Sequence, residues 1–207
     1  MEINSNNKLE IIGEIISEPT FSHKSHGEEF MGFQIKSPRL SESHDTLEVI
    51  AEKNIIEEFE KGDIIHIDGE FRSFNNYSGK GNRLVLTIFA HDIDYASKEE
   101  SMSSINNLEL NAFLCKKPIF RKTPFGREIT DLLLAVNRRF NKSDYIPAIC
   151  WGRNARSAAK LVVGDNVKTQ GRVQSRNYKK KIDEDTYEDR VAYEYSISNI
   201  EIMEKEE

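Results

Sequence analysis

Hydrophobic and polar residues alternate along much of the chain, the pattern of β-strands that bury one face. In the C-terminal half this alternation predicts strands at 107–114, 128–136, 143–151, 166–173 and 189–202. Between the third and fourth of these strands, residues 153–162 carry alanine and valine at helical spacing, which predicts a helix. The pattern therefore indicates five strands with one helix inserted between strands three and four.

The same pattern occurs twice, at an offset of 99 residues. NNKLEIIGEIISEPTF (6–21) aligns with INNLELNAFLCKKPIF (105–120), which pairs Leu9 with Leu108. Further along, DTLEVIAE aligns with DYIPAICW and, after a shift of three residues, KGDIIHIDGE aligns with VGDNVKTQGR. Such self-similarity indicates a duplicated structural unit.

The duplication predicts the domain organisation. We expect an N-terminal domain at 1–95, a polar linker at 96–104 and a C-terminal domain at 105–207, each domain large enough for its own core. The order of strands and helix is that of the OB-fold, a small Greek-key barrel with a nucleic-acid-binding face. The predicted fold class is all-β, with two tandem five-stranded OB-folds that each carry a short helix between strands three and four.

The third strand of the C-terminal half has two chemically different faces. Its inward set is Ile146, Ala148 and Cys150. Its outward set is Tyr145, Pro147, Ile149 and Trp151. The N-terminal copy keeps the inward set apolar but has Glu52 in place of Trp151. The core is thus common to both copies, and the outer face is where they differ.

Aromatic and basic residues share the outer face of the C-terminal half. On strand four this face carries Arg172, Gln174, Arg176 and Tyr178. Aromatic rings stack on unpaired bases while arginine and lysine bind phosphates, so this pattern suits single-stranded nucleic acid. The alternative is that Trp151 and Tyr145 pack against another subunit or against the chain's own helix.

Charge distinguishes the halves in the same way. The whole chain has a net charge of −6, yet residues 1–103 hold 10 basic and 20 acidic residues, whereas residues 104–207 hold 19 basic and 15 acidic ones. We therefore expect only the C-terminal half to face a polyanion. The acidic residues on the N-terminal outer face, which should repel phosphate, are Glu48, Glu52 and Glu70.

One long segment carries a family resemblance. LLLAVNRRF, DYIPAICWGRNARSAAKLVVGDNVKTQGR and VQSRNY, within 132–178, closely resemble the bacterial single-stranded DNA-binding protein (SSB) family. The resemblance implies base-stacking roles for Phe140, Tyr145, Trp151 and Tyr178. It also implies phosphate contacts for Arg153 and Arg176.

Further basic residues flank these positions. Arg138 and Arg139 lie beside the matched strand, and Arg172 shares the strand-four face. Lys179 and Lys180 lie at the predicted hairpin between strands four and five, where a solvated charged turn is the alternative role.

The resemblance also implies an assembly. The family presents four OB-folds, so we expect two copies of this chain to pair as a homodimer on single-stranded DNA. The N-terminal half lacks the aromatic set, which predicts a mainly structural role for it. The family's long tail with an acidic, apolar tip has no counterpart in the closing EIMEKEE, so we do not expect partners to be recruited through such a tail.

The predicted function is sequence-nonspecific binding and protection of single-stranded DNA in replication, repair or recombination. Replication or repair proteins are candidate partners, and the predicted location is cytoplasmic and nucleoid-associated. One alternative is a protein-interaction module with weak DNA binding and a docking patch near Phe71, Phe74 and Tyr77. RNA binding is another, because OB sheets accept either polymer. We expect no enzyme activity, cofactor, metal site or membrane segment.

Overall fold

The computed structural model describes residues 6–203 except 42, 78–82, 182 and 184–185. The elements of the N-terminal half are β1 (Asn7–Ile15), β2 (Thr20–Ser25), β3 (Glu28–Pro38), β4 (His44–Glu52), α1 (Lys53–Ile56), β5 (Ile64–Asn75) and β6 (Leu84–Tyr95). A short helix, α2 (Lys98–Met102), follows in the segment predicted to be a polar linker. The elements of the C-terminal half are β7 (Asn106–Leu114), β8 (Ile119–Lys122), β9 (Glu128–Arg138), β10 (Lys142–Trp151), α3 (Gly152–Ala158), β11 (Asn166–Lys181) and β12 (Tyr187–Ile202). The last four residues, on which the expectation about the closing segment depends, lie outside the described part.

Five strands close a barrel in each half. In the N-terminal half they are neighbours in the cyclic order β1, β3, β4, β6 and β5, and in the C-terminal half in the order β7, β9, β10, β12 and β11. β4 with β6 and β10 with β12 are parallel pairs, whereas every other strand pair in the described residues is antiparallel. The predicted all-β class and OB-fold architecture are confirmed.

Each half also contains a strand that the alternation did not predict. β2 and β8 pair only with β3 and β9, and they form the two edges of the continuous twelve-stranded sheet. Their side chains are almost all exposed, so these strands lack the alternating burial from which the other strands were predicted. They lie outside the barrels and add a hairpin to each.

The helices are shorter than the sequence pattern suggests. α3 buries Ala155 and Ala158 as expected, but it ends at Ala158, and Val162 is 60% exposed beyond it. All helices in the described part of the chain are short, and none combines the length and apolar character needed to span a membrane.

A glycine in each half lets the barrel close. Gly69 and Gly171 each lie at a β-bulge where β5 or β11 shifts register against its partner. A Cβ at Gly69 would lie 2.2 Å from the Phe89 carbonyl oxygen, and one at Gly171 would lie 2.1 Å from that of Ser196. Only glycine allows so close a backbone approach, and the bulge bends the strand around the barrel.

The two halves are joined by the antiparallel pairing of β1 with β7. In this ladder Leu9 lies opposite Leu108, and both side chains are fully buried. These are the residues that the offset of 99 aligns, so the halves are related by a pseudo-two-fold axis through this pair. Buried apolar residues from both barrels form one hydrophobic cluster across the junction.

Two asparagines at equivalent positions make the same pair of hydrogen bonds, each within its own half. Asn7 donates to the carbonyl of Phe71 (2.8 Å) and accepts from its amide (3.0 Å). Asn106 donates to the carbonyl of Val173 (2.8 Å) and accepts from its amide (2.9 Å). These side chains satisfy backbone groups that the strand ladders leave unpaired. The duplication therefore extends to individual polar contacts.

Two buried carboxylates also connect the halves reciprocally. Asp45 accepts from the amide of Ser175 (2.7 Å), and Asp144 accepts from the amide of Ser73 (2.8 Å). Each serine hydroxyl in turn accepts the amide of the residue that follows the opposite aspartate, at 3.0 Å for Thr46 and 2.7 Å for Tyr145. Each half thus binds one strand of the other: β4 binds β11, and β10 binds β5.

The ion pairs at these carboxylates are unequal. Asp45 pairs with Arg39 of its own half and with Arg172 of the other half, which lies 2.9 Å away. Asp144 pairs with Arg138 at 3.3 Å, and its Oδ2 has no hydrogen-bond partner among the described residues. The position equivalent to Arg172 is Glu70, which cannot supply the second cation.

This inequality predicts a difference in stability. Asp45→Ala should lower the free energy of unfolding by about 3–5 kcal/mol, because it leaves two partly buried arginines without their shared anion. Asp144→Ala should cost about 1–3 kcal/mol, chiefly from the unpaired amide of Ser73. Urea denaturation followed by circular dichroism measures both, and equal losses would contradict the inequality.

Candidate nucleic-acid interface

The outer face of β10 presents two exposed aromatic rings at its ends. Tyr145 is 45% exposed and Trp151 is 38% exposed, whereas the inward residues of this strand are buried. Ile149 was expected on the open face but is only 5% exposed, because it forms the floor of a groove. The strand therefore carries aromatic residues at either end of a partly covered apolar surface.

A groove of about 370 Å³ opens beside the tryptophan, and we call it the Trp151 groove. Trp151 and Ile149 line one side of it, and Gln174 and Arg176 of β11 line another. The indole Nε1 donates a hydrogen bond to Ser196 Oγ (3.2 Å), which fixes the plane of the ring. Two strands distant in sequence thus place a flat ring and a guanidinium in one cleft.

Two arginines that the sequence pattern did not single out also line this groove. Arg121 comes from the edge strand β8 and forms an ion pair with Asp131 (2.6 Å) while its side chain stays half exposed. Arg39 comes from the N-terminal half. The basic character of FRK in β8 was a usable signal, whereas the position of Arg39 depends on how the halves pack. Glu194 is an acidic residue in the same groove and accepts a hydrogen bond from Gln174.

The strand β11 extends the surface beyond the groove. Arg176 is exposed, and its guanidinium carbon lies 6.0 Å from the centre of the half-buried Tyr178 ring. Lys179 and Lys180 follow and are exposed, but their ladder partners on β12 are Asp189 and Glu188. Asp189 is therefore an acidic cross-strand neighbour of Lys179, whereas Glu188 is ion-paired with Arg190 (2.8 Å).

The structure does not bring Phe140 into the Trp151 groove. Phe140 lies in a tight turn between β9 and β10, with a left-handed backbone (φ 61°, ψ 38°) and 90% exposure. Arg139 beside it is also exposed. Both residues follow Arg138, whose side chain binds the buried Asp144.

The remaining predicted arginines differ in their surroundings. Arg153 is exposed in the first turn of α3, two residues after Trp151. Arg172 and Arg138 each form an ion pair with a buried carboxylate, as described above. That pairing gives both side chains a structural partner, and a phosphate contact by either stays a prediction.

The corresponding face of the N-terminal half is occupied by its own side chains. The Arg72 guanidinium lies 3.9 Å over the Phe89 ring and donates to Glu70 (2.7 Å). Phe30 packs against Phe89 with ring centres 5.7 Å apart, and His23 stacks on Phe30 at 4.8 Å. The face of Phe89 under Arg72 is therefore closed to an incoming base.

The docking patch proposed as an alternative is only partly exposed. Phe71 is buried in the core at 1% exposure, so it cannot belong to a surface patch. Phe74 and Tyr77 are 48% and 81% exposed. They lie at the end of β5 and just beyond it.

Comparison with known proteins finds a family match for the C-terminal half of the chain. The model of the "Single-strand binding protein family" matches residues 105–203. A single-stranded DNA-binding protein of Clostridium tetani is 37% identical over 84 residues, covering 37% of this chain and 58% of that protein. Single-stranded DNA-binding protein A of Bacillus subtilis is 36% identical over 81 residues, 36% of this chain and 47% of that protein.

The C-terminal half of this chain, residues 105–203, therefore matches the SSB family, and we call it the SSB-family half. The chain spans about half the length of these curated relatives. The matched residues 105–203 include Trp151, Tyr145 and Arg176, and the Trp151 groove lies mostly within this SSB-family half.

A solved structure extends the likeness to the whole fold. The wild-type single-stranded DNA binding protein from Thermus aquaticus superposes with a TM-score of 0.76 over 97% of this chain and 94% of that chain, at 19% identity. The TM-score and the coverage establish a shared fold, here a tandem pair of OB-folds, and at 19% identity the likeness shows the fold alone.

Glu70, on the acidic outer face of the N-terminal half, has a lowered pKa. Burial acts to raise the pKa of Glu70, but the hydrogen bond from His91 and the adjacent Arg72 outweigh it and lower that pKa to about 2. Because folding lowers this pKa from its ordinary 4.5, ionised Glu70 stabilises the fold above about pH 4.5, and the stabilisation is lost as the pH falls toward 2.

Glu70→Gln should therefore destabilise the protein in a pH-dependent way. At pH 6 we expect a loss of about 1–2 kcal/mol after allowance for solvent screening, and the difference from wild type should shrink steadily between pH 4.5 and pH 2. Urea denaturation across this pH range tests it, with the exposed Glu57→Gln as the control. A difference that stays constant with pH would be evidence against the Glu70 ion pair.

Proposed function

We propose that this protein binds single-stranded DNA without sequence preference, chiefly through the SSB-family half. The observation that carries the proposal is the Trp151 groove, in which an exposed indole and the Arg176 guanidinium face one open cleft. The relatives that match this half are named as single-stranded DNA-binding proteins. Replication, repair and recombination are the processes in which such binding would serve.

Base stacking and phosphate contacts would both contribute to binding. Trp151 and Tyr145 offer rings to the faces of unpaired bases, and each stack is worth roughly 1–3 kcal/mol whatever the base. Arg176, Arg121 and Arg153 surround the tryptophan and would hold the phosphates of the same strand. A duplex would be a poor ligand, because its base faces are already stacked. No bond is made or broken in this function.

The N-terminal half would act mainly as a structural partner. Its Arg39 reaches the Trp151 groove, and its Asp45 holds the backbone of Ser175 next to Arg176. We propose that two such chains form a homodimer, which would present four OB-folds to one DNA strand. Sedimentation equilibrium should then give twice the chain mass, and a monomer mass at micromolar concentration would contradict the dimer.

Trp151 is the only tryptophan, so its fluorescence reports on a single stacking position. Oligo-dT at low salt should quench this emission, because the indole stacks on a base. Added salt should reverse the quenching, with a slope of about −0.7 in log K against log salt for each phosphate neutralised. The same titration with an oligo-dT duplexed to oligo-dA is the control, and an unquenched tryptophan on single strands would refute the stacking assignment.

Arg176→Ala should weaken binding and reduce the salt slope by about 0.7, because one phosphate contact is lost. Lys180→Ala is the matched control, because Lys180 is exposed but is not among the residues that line the Trp151 groove, so its charge should contribute less. Fluorescence titration at several salt concentrations gives both slopes. If the lysine variant lost as much of the slope as the arginine variant, the phosphate path would follow the hairpin instead of the groove.

A further inference from the structure

A second groove lies on the pseudo-two-fold axis between the halves, and we call it the central groove. Its volume is about 690 Å³, almost twice that of the Trp151 groove. Corresponding strands of the two halves line it. β4 contributes Glu48 and its counterpart β10 contributes Pro147, while β6 contributes Leu84, Val85 and Leu86 and its counterpart β12 contributes Val191, Ala192 and Tyr193. Both barrels therefore build this groove together.

The outer face of β10 connects the two grooves. Ile149 lines the Trp151 groove, and Pro147, two residues earlier on the same face, lines the central groove. Trp151 and Tyr145 stand at the two ends of this face, about 20 Å apart at the usual rise of a strand. A nucleic-acid strand that stacks on both rings would pass over the central groove between them.

An aromatic residue of the N-terminal half lies at the Tyr145 end of this path. The amide of Tyr145 donates to Ser73 Oγ (2.7 Å), which brings β10 against the end of β5. The next residue, Phe74, is 48% exposed and lines the central groove. The two halves thus each contribute a partly exposed ring to the same region.

The chemistry of the central groove favours a flat, uncharged group over a phosphate. Among the described residues that line it, Glu48 is the one charged side chain, and its carboxylate accepts a hydrogen bond from Gln34 (2.6 Å). Basic residues lie near both ends of the β10 face: Arg176 lies beside Trp151, and the exposed Lys142 lies three residues before Tyr145. The neighbouring Arg138 is already paired with Asp144. An apolar cleft between two basic ends fits a polyanion whose bases turn inward.

We infer that the central groove binds bases of the strand that stacks on Trp151, with Phe74 of the N-terminal half as an additional stacking residue. This inference rests on the proposed function, and it extends the DNA path onto the part of the N-terminal half around Phe74, away from the surface where Arg72 covers Phe89. An apolar segment of a partner protein is the competing occupant. The continuity with the Trp151 groove and the basic residues at both ends favour DNA.

The test compares Phe74→Ala with wild type on two lengths of oligo-dT. An oligomer of about five nucleotides can fill the Trp151 groove alone, whereas one of about 15 can also cross the central groove. Phe74→Ala should bind the long oligomer roughly 5- to 100-fold more weakly and the short one as tightly as wild type. Phe21→Ala is the control, because Phe21 is 62% exposed on edge strand β2 and lines neither groove.

A second variant keeps the ring and adds a reporter. Phe74→Trp should bind both lengths about as tightly as wild type, and the long oligomer should quench more of its emission than the short one. If Trp151 is quenched normally but Phe74→Ala binds the long oligomer like wild type, the inference is wrong and a protein occupant is favoured. Equal loss on both lengths would also overturn it. If Trp151 of the wild-type protein is not quenched at all, the proposed function itself fails.

Discussion

The antiparallel pairing of β1 with β7 is the constraint on which the rest of this structure depends. It sets Leu9 against Leu108 in the shared core and so relates the two barrels by a pseudo-two-fold axis. The reciprocal hydrogen bonds of Asp45 and Asp144 follow from that axis, because each carboxylate lies next to a strand of the opposite half, β11 for Asp45 and β5 for Asp144. The central groove exists for the same reason, since two outer faces meet where the axis emerges.

Within this common frame the two halves differ in what they place on the outer face. At one pair of equivalent positions the C-terminal half has Trp151 and the N-terminal half has Glu52; at another they have Arg176 and Phe74. In the N-terminal half Arg72 covers the Phe89 ring, so this ring and this guanidinium are already in contact with each other. A duplicated fold can thus retain its packing, which depends on inward residues, while one copy changes the chemistry of its surface.

The sequence predicted the frame well and the site only in part. Alternating strands and the repeat carry local signals, so the barrels were predictable, whereas β2 and β8 were not, because they bury neither face. The offset of 99 aligned Leu9 with Leu108 but could not reveal that they face each other, since that depends on the packing of the halves. The same dependence hid Arg39 at the Trp151 groove and the ion pair that engages Arg172.

The central claim is that the outer face of β10 carries the DNA, whereas the surface of the N-terminal half formed by Phe30 and Phe89 under Arg72 does not. Ultraviolet crosslinking of the unmodified protein to oligo-dT, with the attached peptides mapped by mass spectrometry, tests it most directly. The account predicts crosslinks in residues 142–151 and at the neighbouring Phe74, with few at Phe30 or Phe89 on the blocked face. Crosslinks concentrated on Phe30 and Phe89, with none in residues 142–151, would contradict it.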